Sequence, residues 1–410
     1  MRSWKFVYLI LLFCSCKFTE EKFGQNPEGY SIIDLTEVEY SNVSPKLSEF
    51  ADSIFYIRLD EEPLIGNVWL TGVIVTDDAI FIDDEQIYKY TLDGKFLLSL
   101  FLKGNGPEEA VKYSRGIYNL EKEYVTFSNN VGLYYNSYSF DGKFLGFQNK
   151  LKDEDPDDKF DIEGTKDLKI LCGYLGDIQC YTYSYYPWAA KRGESLNPTG
   201  PVFLYAKDVV TDSVIFKLKN YHFDVKAVRQ GPTASPNGYP VDYGTIDSVY
   251  WVRPVMLDTL YRTSDFKSVR PWYVFKLKKT AADYAFRVRY MLMDVDKSEW
   301  NKEMFQNAYA LESGVLFEYN TATASGVGYC KAGGKAKVVS RYFENDLDGY
   351  LKELSFQGFS GKRLSQRDGY LYTLVGAEEF FKEGAKSPFP DLTEESNPVV
   401  VKLKLKKYEK

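Results

Sequence analysis

The chain contains one histidine, His222, and that limits the chemistry open to it. A single imidazole cannot build a multi-histidine metal centre, and a Ser-His-acid triad using it would lack the Gly-x-Ser-x-Gly elbow that presents a nucleophile. A lone loop histidine reads first as surface. Gly104-Asn105-Gly106-Pro107 is no phosphate cradle, because Pro107 removes an amide donor and no Lys-Ser/Thr pair follows; it reads as a turn. Carboxylates are the remaining catalytic option. The run Asp153-Glu154-Asp155-Pro156-Asp157-Asp158 could ligate Ca²⁺ or supply two acids for glycoside chemistry. It lacks the Asp-x-Asp-x-Asp-Gly spacing of a calcium loop, and charge runs in surface loops are usually solvated. Asp83-Asp84-Glu85 takes the same bland reading. No catalytic residue, metal site or cofactor is assigned, Ca²⁺ being the one ion the acidic run would suit.

Binding chemistry is better represented. Tyr186, Trp188 and Arg192 fall in one long loop, His222 and Arg229 in another, and Tyr239 follows shortly after. Aromatic faces beside guanidinium groups can stack on sugars or peptide side chains. Long loops in a chain with 34 Tyr, 28 Phe and 6 Trp will, however, hold such residues in any case. Of five cysteines, Cys172 and Cys180 flank Leu175-Gly176-Asp177, a turn that would set them across a hairpin. The sequence leaves open whether they form a disulfide or pack as free thiols.

A repeat supplies the elements that position these loops. Tyr90-Thr91-Leu92-Asp93-Gly94-Lys95-Phe96-Leu97 returns as Tyr138-Ser139-Phe140-Asp141-Gly142-Lys143-Phe144-Leu145. Each copy is two alternating apolar runs around Asp-Gly, a dipeptide that supplies the positive φ of a tight hairpin turn. With residues 70–76 and 79–83 ahead of it, the first copy makes a four-stranded antiparallel meander of propeller-blade length. Fainter copies follow at 167–218, 248–277 and 315–343, and three strands at 362–405 lack a fourth. Residues 53–59 have no local partner, so pairing them with 399–405 would close a six-bladed all-β propeller and leave no bare edge. Residues 281–305 break the strand pattern and read as helical. Connections within blades alternate between short turns and insertions, and every insertion (103–113, 152–166, 186–200, 220–240, 279–307, 344–361, 376–398) falls on one face. Long loops gathered on one side are the default binding surface.

Ile87-Tyr88-Lys89-Tyr90, Leu92 to Leu97 and Gly104-Asn105-Gly106-Pro107-Glu108-Glu109, together with Tyr250-Trp251 and Asp258-Thr259-Leu260-Tyr261-Arg262, resemble the NHL-like six-bladed propeller lipoproteins of Gram-negative gut bacteria. That resemblance implies a fold and an anchored location, with no catalytic residues to carry over.

The first residues agree with it. Arg2 and Lys5 precede a short apolar run, 6–13, and then Cys14-Ser15-Cys16. A membrane span needs about 20 apolar residues, so this is a secretion signal. Phe13-Cys14-Ser15-Cys16 resembles a lipobox with Cys16 as the lipidated residue, since Ser15 is small enough to precede the cut. Residues 1–15 are then a leader, 16–30 a tether and 31–410 one propeller domain. Losing Arg2 and Lys5 and no acid moves the formal charge from −7 to −9, which argues against nucleic acid as a partner. The expectation is a non-enzymatic binding or scaffolding lipoprotein of the cell envelope, anchored in the outer membrane through its lipid. It would engage a glycan, a peptide or an envelope protein, facing either the periplasm or, as the acidic pair Glu20-Glu21 hints, the cell surface. The alternative is a carbohydrate-active hydrolase or lyase using carboxylates at the channel mouth, with Ca²⁺. Cys16→Ser is expected to abolish incorporation of labelled fatty acid and release the protein from membranes, while Cys14→Ser leaves both unchanged.

Overall fold

Both Asp-Gly dipeptides turn the chain as their composition requires. In the computed structural model Gly94 has φ +90° and Gly142 φ +80°. Thr91 N donates to Lys95 O and Gly94 N to Thr91 O; Ser139, Lys143 and Gly142 repeat the pattern. The register of each hairpin shifts just beyond the turn, at Lys89/Tyr90 and Ser137/Tyr138, the bulge that follows a turn ending in a left-handed residue. The structure describes residues 29–66, 71–104, 106, 109–112, 114–129, 134–149, 168–184, 192–197, 202–230, 241–356 and 364–407. The leader with Cys16, nearly all of the tether and the acidic run 153–158 lie outside them.

The architecture is all-β, a propeller-like arrangement of small sheets with one α-helix, Tyr284–Met291. Four antiparallel meanders follow one another. They are Gly72–Val75 to Phe96–Ser99, Ile117–Asn119 to Phe144–Asn149, Leu168–Leu175 to Ser213–Lys219, and Val241–Ile246 to Arg270–Lys276. Aromatic side chains fill the space between neighbouring sheets. Phe81 and Phe140 join the first to the second at 4.5 Å between ring centroids, and Tyr250, Val252 and Cys172 share the core between the third and fourth.

The clasp expected from the sequence is present. Ala51–Arg58 runs antiparallel to Val399–Leu405, with Ile54 opposite Leu403, Tyr56 opposite Val401 and Arg58 opposite Val399. The rest of the expected ring requires correction, because the strands do not form a closed ring of six four-stranded blades. The fifth group, Met304–Leu311, Gly314–Asn320 and Ser325–Lys331, has three strands. Its place for a fourth holds only Val338–Val339, which takes Glu39–Tyr40 as a parallel partner. The last group merges with the fourth meander through a parallel bridge from Ile246 to Gln366, giving one nine-stranded sheet.

Two further departures have simple causes. The strand Met304–Leu311 overlaps the end of the expected insertion 279–307 and carries no strand signal, because all eight of its residues are buried and show no alternation. The helix in that insertion is short and begins at Asp283, whose carboxylate accepts the Phe286 amide at 2.8 Å. The first described residues also do more than lead into the fold. Ser31–Asp34 adds in parallel to the outer edge of Arg270–Lys276, and Asp34 N donates to Gly334 O. Residues 31–58 therefore form a strap across the outer edges of three strand groups.

A Cβ at Gly94 would stand 1.9 Å from the Arg58 carbonyl oxygen, whereas at Gly142 the nearest atom is 3.5 Å away. Gly142→Ala is expected to cost the roughly 1–2 kcal/mol of a left-handed non-glycine residue. Gly94→Ala should cost clearly more in denaturant melts; equal losses would show that the clasp does not press on that turn.

Candidate functional site

Two concave sites stand out among the described residues. The first is a narrow cavity of about 80 Å³ on which several strand groups converge: Ile74, Ile117, Tyr174, Tyr243, Tyr309 and Gln366 come from six different strands. Glycines let the walls close in. A Cβ at Gly173 would lie 2.4 Å from the Tyr250 ring, and one at Gly244 2.7 Å from that of Trp251. The lining is apolar, phenolic and amide in character, with Asp83 its one carboxylate.

Asp83 is committed to structure. Lys112 Nζ donates to its Oδ1 and to the Asp84 carbonyl, and Gly116 N donates to its Oδ2 at 2.7 Å. Both side chains of the pair are nearly fully buried. A carboxylate held on one oxygen by an ammonium group and on the other by an amide is fixed in place and paired. The reading of Asp83-Asp84-Glu85 as a solvated run is therefore corrected: it holds for Glu85, exposed and paired with Lys103, and fails for Asp83. Beside it, burial pushes the Tyr118 hydroxyl well above its ordinary range and the Asp83 charge adds to that push, so it stays a neutral phenol.

The second site is a cleft of about 490 Å³, within the size range of small-ligand pockets. Its apolar lining comes from Leu354, Phe356, Leu364, Leu374 and Val375, all buried. Its charged rim comes from 341–356 and from 376–383, beginning at the one-turn helix Ala377–Phe381. Lys382 pairs with Glu379 at 2.5 Å, which holds the ammonium pKa above its usual value. Both stretches overlap insertions that the sequence assigns to the loop-rich face, 344–361 and 376–398. The sequence singles out none of their residues, since no motif marks an apolar patch assembled from three separated stretches. Alternating Leu354-Ser355-Phe356 beside Lys352-Glu353 was the available signal.

The residues named from sequence lie elsewhere. Tyr186, Trp188 and Tyr239 fall outside the described residues. Arg192 and His222 are exposed and Arg229 is half-buried. Their two loops do come together. Ser195–Leu196 pairs with Ala227–Val228, Gly193 N donates to Arg229 O at 2.7 Å, and Asn197 Nδ2 donates to His222 O at 3.2 Å. The His222 ring lies 5.0 Å from that of Tyr284 on the helix, so its face is used in packing. Cys172 and Cys180 are free, as is Cys330, and all three are buried. Cys172 Sγ lies 3.3 Å from the Cys180 carbonyl oxygen. Burial pushes the Cys180 thiol up and takes Cys330 to about 12, which suppresses thiolate chemistry. Among the described residues no group of three or more His, Cys, Asp and Glu side chains could hold a metal ion.

A family model described as a domain of unknown function, DUF4934, matches residues 30–404. The chain belongs to that family. No curated protein matches it. Among solved structures, one described as a "Putative exported protein" from Bacteroides fragilis aligns with a TM-score of 0.59 and 12% identity over 92% of this chain and 100% of that one. A member of the DUF4221 family from Bacteroides vulgatus aligns at 0.44, with 12% identity over 87% and 97%. Virginiamycin B lyase from Staphylococcus aureus aligns at 0.34, with 12% identity over 86% and 99%. At these identities the first likeness concerns fold alone, and the other two are too distant to carry an argument. None of these names is that of an NHL-like lipoprotein.

Replacing Lys112 with Met strands the buried Asp83 charge and is expected to cost about 3–5 kcal/mol. Adding Asp83→Asn should recover much of that loss, because no charge is then left unpaired. A neutral effect of Lys112→Met in thermal melts would show that the pair is not buried as described.

Proposed function

We propose that this DUF4934 protein is a non-catalytic binding or scaffolding protein of the cell envelope, anchored through lipid at Cys16, which holds a peptide or glycan segment in the 490 Å³ cleft. The observation that carries the reading is the contrast between the two concave sites. The central cavity offers one carboxylate, already paired with Lys112, where glycoside hydrolysis ordinarily uses two carboxyl groups flanking one bond. The cleft offers an apolar lining with a polar rim, the usual composition of a ligand site. Support for the location comes from the charged and apolar leader and its lipobox. Among the described residues no helix is long and apolar enough to cross a membrane. The formal charge of −7 disfavours nucleic acid as a partner.

The test is a panel of short peptides and oligosaccharides read first by thermal shift, since a ligand that binds only the native state raises the melting temperature. Tyr342→Ser and Lys352→Ala, both at the rim of the cleft, are expected to weaken binding of any hit about tenfold each, or about 1.4 kcal/mol. Substitution of Arg192 and His222 should leave it unchanged. A hit whose affinity survives both rim changes and falls with the Arg192 and His222 changes would move the site to the loops singled out from sequence.

A further inference from the structure

We infer that the ligand of the cleft is a short zwitterionic peptide with both ends free and at least one large apolar side chain, rather than a neutral glycan. The inference rests on the cleft being the binding site, as proposed above, and adds the class of ligand.

It comes from how the charges divide. The 341–356 wall contributes Arg341, Lys352 and Glu353, a net charge of +1. The 376–383 wall contributes Glu378, Glu379, Lys382 and Glu383, a net charge of −2. Lys382 is taken up by Glu379, which leaves Glu378 and Glu383 as the exposed charges of that side. The two stretches thus carry net charges of opposite sign around one apolar lining. A neutral sugar gains nothing from such a field. It would also meet Leu354, Phe356, Leu374 and Val375 with hydroxyl groups, which lose their water without finding partners. A peptide with a free amino end reaching Glu378 and Glu383, a carboxylate reaching Arg341 and Lys352, and a Leu or Phe side chain against the apolar lining satisfies every wall. The volume suits roughly two to four residues, the scale of a drug-sized ligand. Charges at the rim steer and select such a ligand more than they tighten it, so the effect depends on salt.

Calorimetric titration of the purified protein with Ala-Phe-Ala tests the inference, using the free tripeptide, its N-acetyl form, its C-terminal amide and maltotriose. The free peptide is expected to bind, and each block should weaken it about tenfold. In Arg341→Gln/Lys352→Gln the amide should bind as well as the free carboxylate. In Glu378→Gln/Glu383→Gln the acetyl block should cease to matter. That crossed pattern is one a structural defect would not produce. Equal binding of the free, acetylated and amidated peptides would overturn the inference, as would binding of maltotriose in place of the peptides; either result leaves the cleft as the site. Binding by none of the four probes would overturn both this inference and the assignment of the cleft.

Discussion

Two segments from opposite ends of the chain, Ala51–Arg58 and Val399–Leu405, hydrogen-bond side by side, and that pairing fixes the last strand group against the first. A strand edge left bare exposes a row of unmet backbone groups, so a string of meanders must either cap its two ends or join them. Joining them brings the last strand group against the first. Tyr372, Leu374 and Val400 then share a core with Val73, Ile82 and Tyr90. Arg58, the last residue of the clasp strand, and Asp60 just beyond it dock on the first hairpin turn, with Asp60 N donating to Gly94 O at 2.9 Å. The 490 Å³ cleft lies by the same meeting of the two ends, since its lining draws on Thr71 from just ahead of the first meander and on Leu374 and Val375 from the last group.

A second fixed point lies where the fourth meander meets the fifth strand group. Arg253 is fully buried, lies over the Phe305 ring at 4.3 Å, and donates to Asp242 at 2.7 Å and to the carbonyls of Val255, Leu257 and Gln306. Asp242 in turn accepts the Ala308 amide. Burial raises the Asp242 carboxyl pKa and lowers that of the Arg253 guanidinium, so each group is kept charged by the other and by the surrounding amides and carbonyls. A buried pair of this kind adds little net stability, but it penalises any other seating of the two units.

The sequence displayed those parts of the fold that rest on local rules. Asp93-Gly94 and Asp141-Gly142 announce their turns because so few residues tolerate positive φ, and Tyr370–Val375 and Val399–Leu405 stand out as apolar strands bounded by polar residues. What it hid depends on neighbours distant in the chain. Met304–Leu311 is covered on both faces, so its period of two disappears. Ser31–Asp34 and Glu39–Tyr40 are too short to show a pattern and exist as strands because outer edges were waiting for them. Asp83 looked solvated because its partner, Lys112, lies beyond an intervening hairpin. The cleft escaped notice for the same reason, its apolar lining being spread from Leu354 to Val375 and its charges from Arg341 to Glu383.

The strap formed by residues 31–58 has a mechanical consequence. Ser31–Asp34 lies parallel to Tyr273–Lys276 and in register with it, so tension applied upstream of Ser31 along the strand axis loads those bonds in shear. They must yield together instead of unzipping singly. Behind them the short pairing of Glu39–Tyr40 and the long one of Ala51–Arg58 stand in series. A body hung from its amino end would therefore shed the outermost strand under load while the clasp, and the cleft near it, stayed intact.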